Sequence, residues 1–167
     1  MTNAKAKRIR AKVGDVFTIP ISTDERVYGQ VVAQTGVEFL VVVFHSSSVS
    51  AEEAMRGGID LAGIVFDVKL RNGDWPIVAN LPPVRINAPW FVLGHEGLEN
   101  LRIENFDRSA TRMVRLAEAA RHHHRNLSYP MVLQLAAEAL HGQREWRDEL
   151  DFLRDLAAEL NGDPPSN

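Results

Sequence analysis

The chain has 167 residues, a length that suits one domain or one domain with an appendage. Hydrophobic residues make up 45% and charged residues 25%, a globular balance that argues against general disorder, and the net charge of −3 argues against a strongly basic polyanion binder. There is no cysteine, which excludes disulfides and thiol catalysis and fits a reducing cytoplasm.

The charge is unevenly spread. Lys5, Lys7, Arg8, Arg10 and Lys12 open the chain without an acid among them. Such an arm can bind nucleic acid, but without interleaved aromatics its ordinary state is a solvated, flexible terminus. No apolar leader follows it, and no apolar run approaches the roughly 20 residues of a membrane span. The sequence therefore predicts a cytoplasmic protein with no membrane contact.

From residue 13 to 106 the pattern is that of strands. Val16 to Ile21 mixes β-branched and aromatic residues, with Pro20 marking an end or an edge. Thr23 to Arg26 is a polar connection to a second strand, Val27 to Ala33, and Thr35-Gly36 makes a turn. Glu38 to His45 is almost wholly apolar, as a strand buried on both faces must be. Ser50-Ala-Glu-Glu53 has capping-box spacing for a short helix through Met55, stopped by Gly57-Gly58. Ala62 to Leu70 and Trp75 to Ala79 flank Asn72-Gly73, the strongest short hairpin signal in the chain. Trp90 to Leu93 and Leu101 to Ile103 are expected to complete a small curled antiparallel β-sheet or barrel.

After Asp107 the period changes to that of helices. Met113, Leu116, Ala117 and Ala120 predict a first helix. Ser128 is a candidate cap, and Val132 to Leu140 form a second helix ended by Gly142. Trp146, Leu150, Leu153, Ala157 and Leu160 give a third helix one apolar stripe, which must pack on the sheet or on a second copy, making residues 143–160 a possible homodimer seam. The expected class is α+β. A basic arm (1–12) leads into a β-rich domain (13–106), then a helical extension (107–161) in a hairpin or three-helix arrangement, and a disordered tail (162–167).

No catalytic constellation assembles from these residues. His122-His123-His124 cannot converge on one ion while helical, because adjacent helical side chains diverge by about 100°, and Glu118 with His122 gives two ligands where zinc needs three or four. A solvated helix end is the plainer reading, and no metal or other cofactor is expected. His45-Ser46-Ser47-Ser48 lacks the glycines of a nucleophile elbow. Gly94-His-Glu-Gly97 is too sparse to cradle phosphate. His45, Asp67 and Trp75 stand near predicted strand ends and could line the mouth of a ligand-binding or enzymatic barrel, which is the second functional reading. A nucleic-acid adaptor acting through the basic arm is the third.

The first reading comes from sequence blocks that resemble a known family. Lys12-Val-Gly-Asp-Val-Phe-Thr-Ile-Pro20, Tyr28-Gly-Gln-Val-Val32, Val43-Phe44, Gly73-Asp-Trp-Pro-Ile77, Asn80-Leu-Pro82 and Ala88-Pro-Trp-Phe91 are similar to the immunity protein 26 family of bacterial polymorphic-toxin systems, over about residues 12–106. The resemblance implies a small β-rich domain that carries no catalytic residues and neutralises a toxin made by the same bacterium. The Thr23 to Arg26 loop lacks the glycine-rich turn expected there, and the helical segment after Asp107 lies outside the likeness. A rigid inhibitor needs only a surface. Asp24, Glu25 and Asp74 could face a basic toxin cleft, with Tyr28 and Trp75 as aromatic anchors.

Overall fold

A computed structural model describes residues 10–45, 50–93 and 100–162. Lys5, Lys7 and Arg8 of the basic arm, Ser46 to Ser48, the Gly94 to Gly97 segment and residues 163–167 of the tail lie outside the described residues.

The first three strands are those the sequence predicts. β1 (Asp15–Pro20), β2 (Arg26–Thr35) and β3 (Glu38–Phe44) form an antiparallel meander, with Pro20 opposite Arg26 at the end of the first ladder. Every residue of β3 from Phe39 to Phe44 is buried. Phe39, Val41 and Val43 face one core, and Leu40, Val42 and Phe44 face the other, because side chains alternate along a strand. The capping box holds: the Ser50 hydroxyl accepts the Glu53 amide at 3.2 Å at the start of α1 (Ala51–Ala54).

Beyond this point the Asn-Gly hairpin is not formed. β4 (Ile59–Phe66) pairs with β3, and Val68–Asn72 becomes a short helix, α2. Gly73, at φ 80°, terminates that helix in the left-handed conformation that also suits a hairpin turn. The chain then crosses to the far side of the meander, where β5 (Ile77–Asn80) pairs with β1. Phe17 holds the crossing in place, since the Trp75 ring stacks on it at 5.3 Å between centroids.

The next strands do not complete the first sheet but found a second. β6 (Trp90–Leu93) pairs with β7 (Asn100–Asn105), and β7 pairs with β8 (Thr111–Arg115). The helix expected through Met113 is thus a strand followed by a single helical turn, α3 (Leu116–Ala119). Val114 is the buried member of β8 and joins Val92, Leu101, Ile103 and Ala119 in a small core, whereas Met113 and Leu116 are exposed. Ladder hydrogen bonds and the burial of Val114 outweigh the helical spacing. His123–His124 is a short strand, β9, parallel to β6, and Leu127–Ser128 is another, β10, parallel to β4. Ser128 lies in that strand and does not cap the helix, so α4 (Pro130–Leu140) starts after Tyr129.

Among the described residues the strands form two mixed sheets, ordered β10-β4-β3-β2-β1-β5 and β8-β7-β6-β9, and neither closes into a barrel. The class is α+β, as the sequence predicts. No bundle of three helices forms. α4 lays Leu133, Ala136 and Ala137 on one face of the large sheet. The other face meets Phe91 and Phe106 of the second sheet. A 3-10 turn (Asp148–Leu150) leads into α5 (Asp151–Asn161), whose Leu153 joins the first core while Leu156, Ala157 and Leu160 join the second.

A helix contributes to both faces when it runs along the margin of a sheet, and α5 does so beside β4. Gly63 lets it approach: a Cβ there would stand 3.1 Å from the Leu153 side chain. Asn161 donates to the Ile59 carbonyl at 2.9 Å, satisfying part of an edge that β10 covers only at Ile64 and Val65. The stripe that could have served a dimer is therefore spent within the chain. Trp146, at its start, is half-buried, and the Arg154 guanidinium lies 3.5 Å above its ring.

Among the described residues two arginines join the two sheets, one of them largely buried. Arg125, between β9 and β10, meets Glu38 of β3 at 2.5 Å and Glu104 of β7 at 3.4 Å, and donates to the Phe106 carbonyl at 2.9 Å. Its guanidinium stands 5.4 and 5.2 Å from the Phe91 and Phe106 ring centroids. Arg108 adds a second, more exposed contact to Glu38 at 2.8 Å.

Two substitutions test this architecture. Leu153→Ala should lower unfolding free energy by about 2–5 kcal/mol, read by denaturant titration, with no change in sedimenting mass. A fall in mass would mean that the stripe also serves an interface between copies. Arg125→Ala should cost about 1–3 kcal/mol, because Glu38 and Glu104 would lose their more buried cation and keep only the exposed Arg108, at 2.8 and 3.8 Å. Arg125→Lys should recover only part of that loss, since an ammonium cannot reach both carboxylates and the carbonyl with one planar fork.

Candidate partner-binding surface

The residues expected to bind a partner do not share one fate. Asp24 is exposed in the β1–β2 loop, and Asp74 is exposed after α2, paired with Lys69 at 3.2 Å. Both lie at the same end of the large sheet. Pro20 pairs with Arg26 on one side, and the Thr18 amide donates to the Pro76 carbonyl on the other, which brings the two connections together. Glu25 belongs to this end too, held at 2.9 Å by His141 Nδ1 at the close of α4. Tyr28 is half-buried against the second core. Trp75 is wholly buried, and its indole N–H donates to Gln134 on α4 at 3.3 Å. It supports the surface from beneath.

His45 ends β3 at the same end, with its Nδ1 2.9 Å from the Asp60 carboxylate. Around the pair is an open concavity of about 490 Å³ lined also by Ile59, Leu140, His141, Arg154, Ala158 and Asn161. His141 and Arg154 were not legible as surface residues in the sequence. They reach it because α4 finishes there and α5 lays the face of Arg154, Ala158 and Asn161 along it, a tertiary fact with no local signal. Asp67 follows the opposite end of β4, a full strand away from His45. With Trp75 in the core as well, the three residues expected to share a barrel mouth do not gather.

The triple histidine is not a solvated helix end. β9 carries it into the seam between the sheets, where it lines a cavity of about 340 Å³ with Gly63, Ile64, Phe91, Asn126, Phe152 and Leu156. His122 Nδ1 stands 3.9 Å and His123 Nε2 3.4 Å from the Glu159 carboxylate on α5, while Glu118, the partner expected for His122, binds Arg112 at 2.6 Å. His122 Nδ1 and Glu159 Oε2 are buried without a hydrogen bond. Burial pushes the Glu159 carboxyl above its ordinary value, against the opposing pull of His123 and His122. Among the described residues no group of three or more histidines and carboxylates is placed to hold a metal ion.

The residues that carry the sequence resemblance meet one another inside the fold. Gly29 leaves space for the Phe17 ring, which a Cβ would approach to 2.6 Å. Gln30 is fully buried; its amide nitrogen donates to the Leu81 carbonyl at 3.1 Å and its oxygen accepts the Val84 amide at 3.0 Å. Asp15 accepts from Asn80 at 2.9 Å and from the Lys12 amide at 2.9 Å. These are ties of the scaffold rather than members of a surface site.

Comparison with known proteins agrees with that likeness. The family model described as immunity protein 26 matches residues 12–94, which is β1 through β6. No curated protein and no solved structure matches the chain. Among the described residues no helix is long and apolar enough to cross a membrane.

The Glu159 cluster yields a pH signature. A carboxyl raised in the folded state supports stability below its unfolded value, ordinarily 4.5, and that support is lost as pH rises through the higher folded value. Glu159→Gln should therefore melt close to wild type near pH ~4 and gain on it progressively toward pH ~7, read by thermal denaturation across that range. A difference that stayed constant with pH would show that the two imidazoles fully offset the burial.

Proposed function

We propose, on the premise that this chain belongs through residues 12–94 to the immunity protein 26 family, that it is a non-enzymatic binding protein that neutralises a cognate bacterial toxin in the cytoplasm. The family match carries the reading. The architecture supports it. Both faces of the large sheet are filled, so the loops at its ends sit on a frame with little freedom left to lose on binding. Asp24 and Asp74 stand exposed at one such end, Asp74 paired with Lys69 and Glu25 with His141, and the exposed carboxylates would speed encounter with a basic toxin cleft.

The ligand-binding barrel needed His45, Asp67 and Trp75 at one mouth, and they do not gather there. The adaptor reading rests on a basic arm of which only Arg10 and Lys12 are among the described residues.

The test is co-expression with the toxin encoded beside this protein's gene. Wild type should rescue growth and co-purify with the toxin. An Asp24→Lys, Asp74→Lys double variant should keep its melting temperature, since both positions are exposed, yet associate about tenfold or more slowly at low salt. Absence of both rescue and complex with wild type would refute the function. Intact binding by the double variant would leave the function standing and move the interface elsewhere.

A further inference from the structure

We propose that strand β8 is a docking edge for an acidic, extended segment of a partner protein, which joins the second sheet as an added strand. The proposal stands apart from toxin neutralisation, because β8 and its surroundings lie outside the matched residues 12–94.

Three observations converge on this edge. The order β8-β7-β6-β9 leaves β8 at the margin, paired with β7 alone among the described residues. Its outer row of N–H and C=O groups is therefore a template for another strand. The edge is also basic. Arg112 and Arg115 lie on β8, Arg102 lies opposite Met113 on β7, and Arg121 follows α3. Arg112, Arg115 and Arg121 line one concavity of about 520 Å³ with Ala117, Glu118 and His122. Glu118 holds Arg112 at 2.6 Å, and the guanidinium lies 5.3 Å from the Trp90 ring centroid, so this cation is already positioned. Finally, two apolar side chains stand out among these charges: Met113 is 65% and Leu116 49% exposed. Methionine and arginine together are the composition of a protein-binding patch.

The same features choose the occupant. A second copy pairing through its own β8 about Met113 would set Arg112 against Val114 and Arg115 against Thr111, gathering the cations of both copies with no carboxylate of the partner strand to answer them, which opposes self-association. A nucleic acid would use the cations but not the main-chain edge, and among the described residues the aromatic at this edge, Trp90, is half-buried beneath Arg112 and offers no open platform for stacking bases. An extended segment with carboxylates at alternate positions presents them on one face, against Arg115 of β8 and Arg102 of β7, which share a face with Met113, while its main chain meets the open backbone row.

The test uses the full chain and three labelled probes: a peptide alternating glutamate and valine, its lysine counterpart, and a single-stranded oligouridylate of similar length. The glutamate peptide should bind in fluorescence anisotropy, weaken as salt is raised, and slow amide exchange at residues 111–115. An Arg115→Glu, Arg121→Glu variant should lose about tenfold or more of that affinity with an unchanged melting temperature. The glutamate peptide N-methylated at every residue should bind comparably weakly, since it lacks the donors for a ladder on either edge. Failure of the glutamate peptide to bind, equal binding of the lysine peptide, or tighter binding of the oligouridylate would overturn the proposal. So would a double variant that binds as well as wild type, or an N-methylated peptide that binds as well as its parent.

Discussion

The Arg125 guanidinium is the more buried of the two arginine links that set how the two sheets sit together. Arg125 reaches a carboxylate on each sheet and a main-chain carbonyl, and it does so between two phenyl rings. A charge held there would be costly on its own, as would Glu38 or Glu104. The three groups answer one another, so the seam is specific: a second sheet shifted along the first would separate them. β9 and β10 flank this residue, and each extends a different sheet by one short parallel pair. The same stretch of chain thus binds the layers by hydrogen bonds and by charge.

The large sheet is fixed by a second set of ties, among residues far apart in sequence. Gly29, Phe17 and Trp75 stack through its middle, and Gln30 anchors the chain after β5 where two prolines leave carbonyls without a ladder. The blocks that mark the family are therefore parts of one scaffold. This explains how they can identify the fold while saying little about the exposed strand ends and edges.

Function follows from what the packing leaves over. α4 fills one face of the large sheet, the second sheet fills the other, and α5 closes its margin. What remains is a strand-end surface of mixed charge, with Asp24 and Asp74 exposed, and a basic strand edge on the smaller sheet. The histidines and Glu159 are drawn into the seam between layers, where their charge bears on stability.

The sequence by itself determined the elements whose signals are local. The β1–β3 meander, the doubly buried β3, the Ser50 cap, the stop at Gly142 and the amphipathic stripe of α5 all follow from side-chain period and turn chemistry within a few residues. The family was legible as well, because its marker residues are contiguous blocks. Asn72-Gly73 misled because a left-handed glycine ends a helix as readily as it turns a hairpin. Met113 misled because five residues fit either period until β7 offers a ladder. Only tertiary structure decided which strands share a sheet, that Trp75 is a pillar, that His141 and Arg154 meet Glu25 and Asp60 at one surface, and that Arg125 joins the layers. Each depends on contacts between distant segments, whose energies exceed local preferences and leave no mark in local sequence.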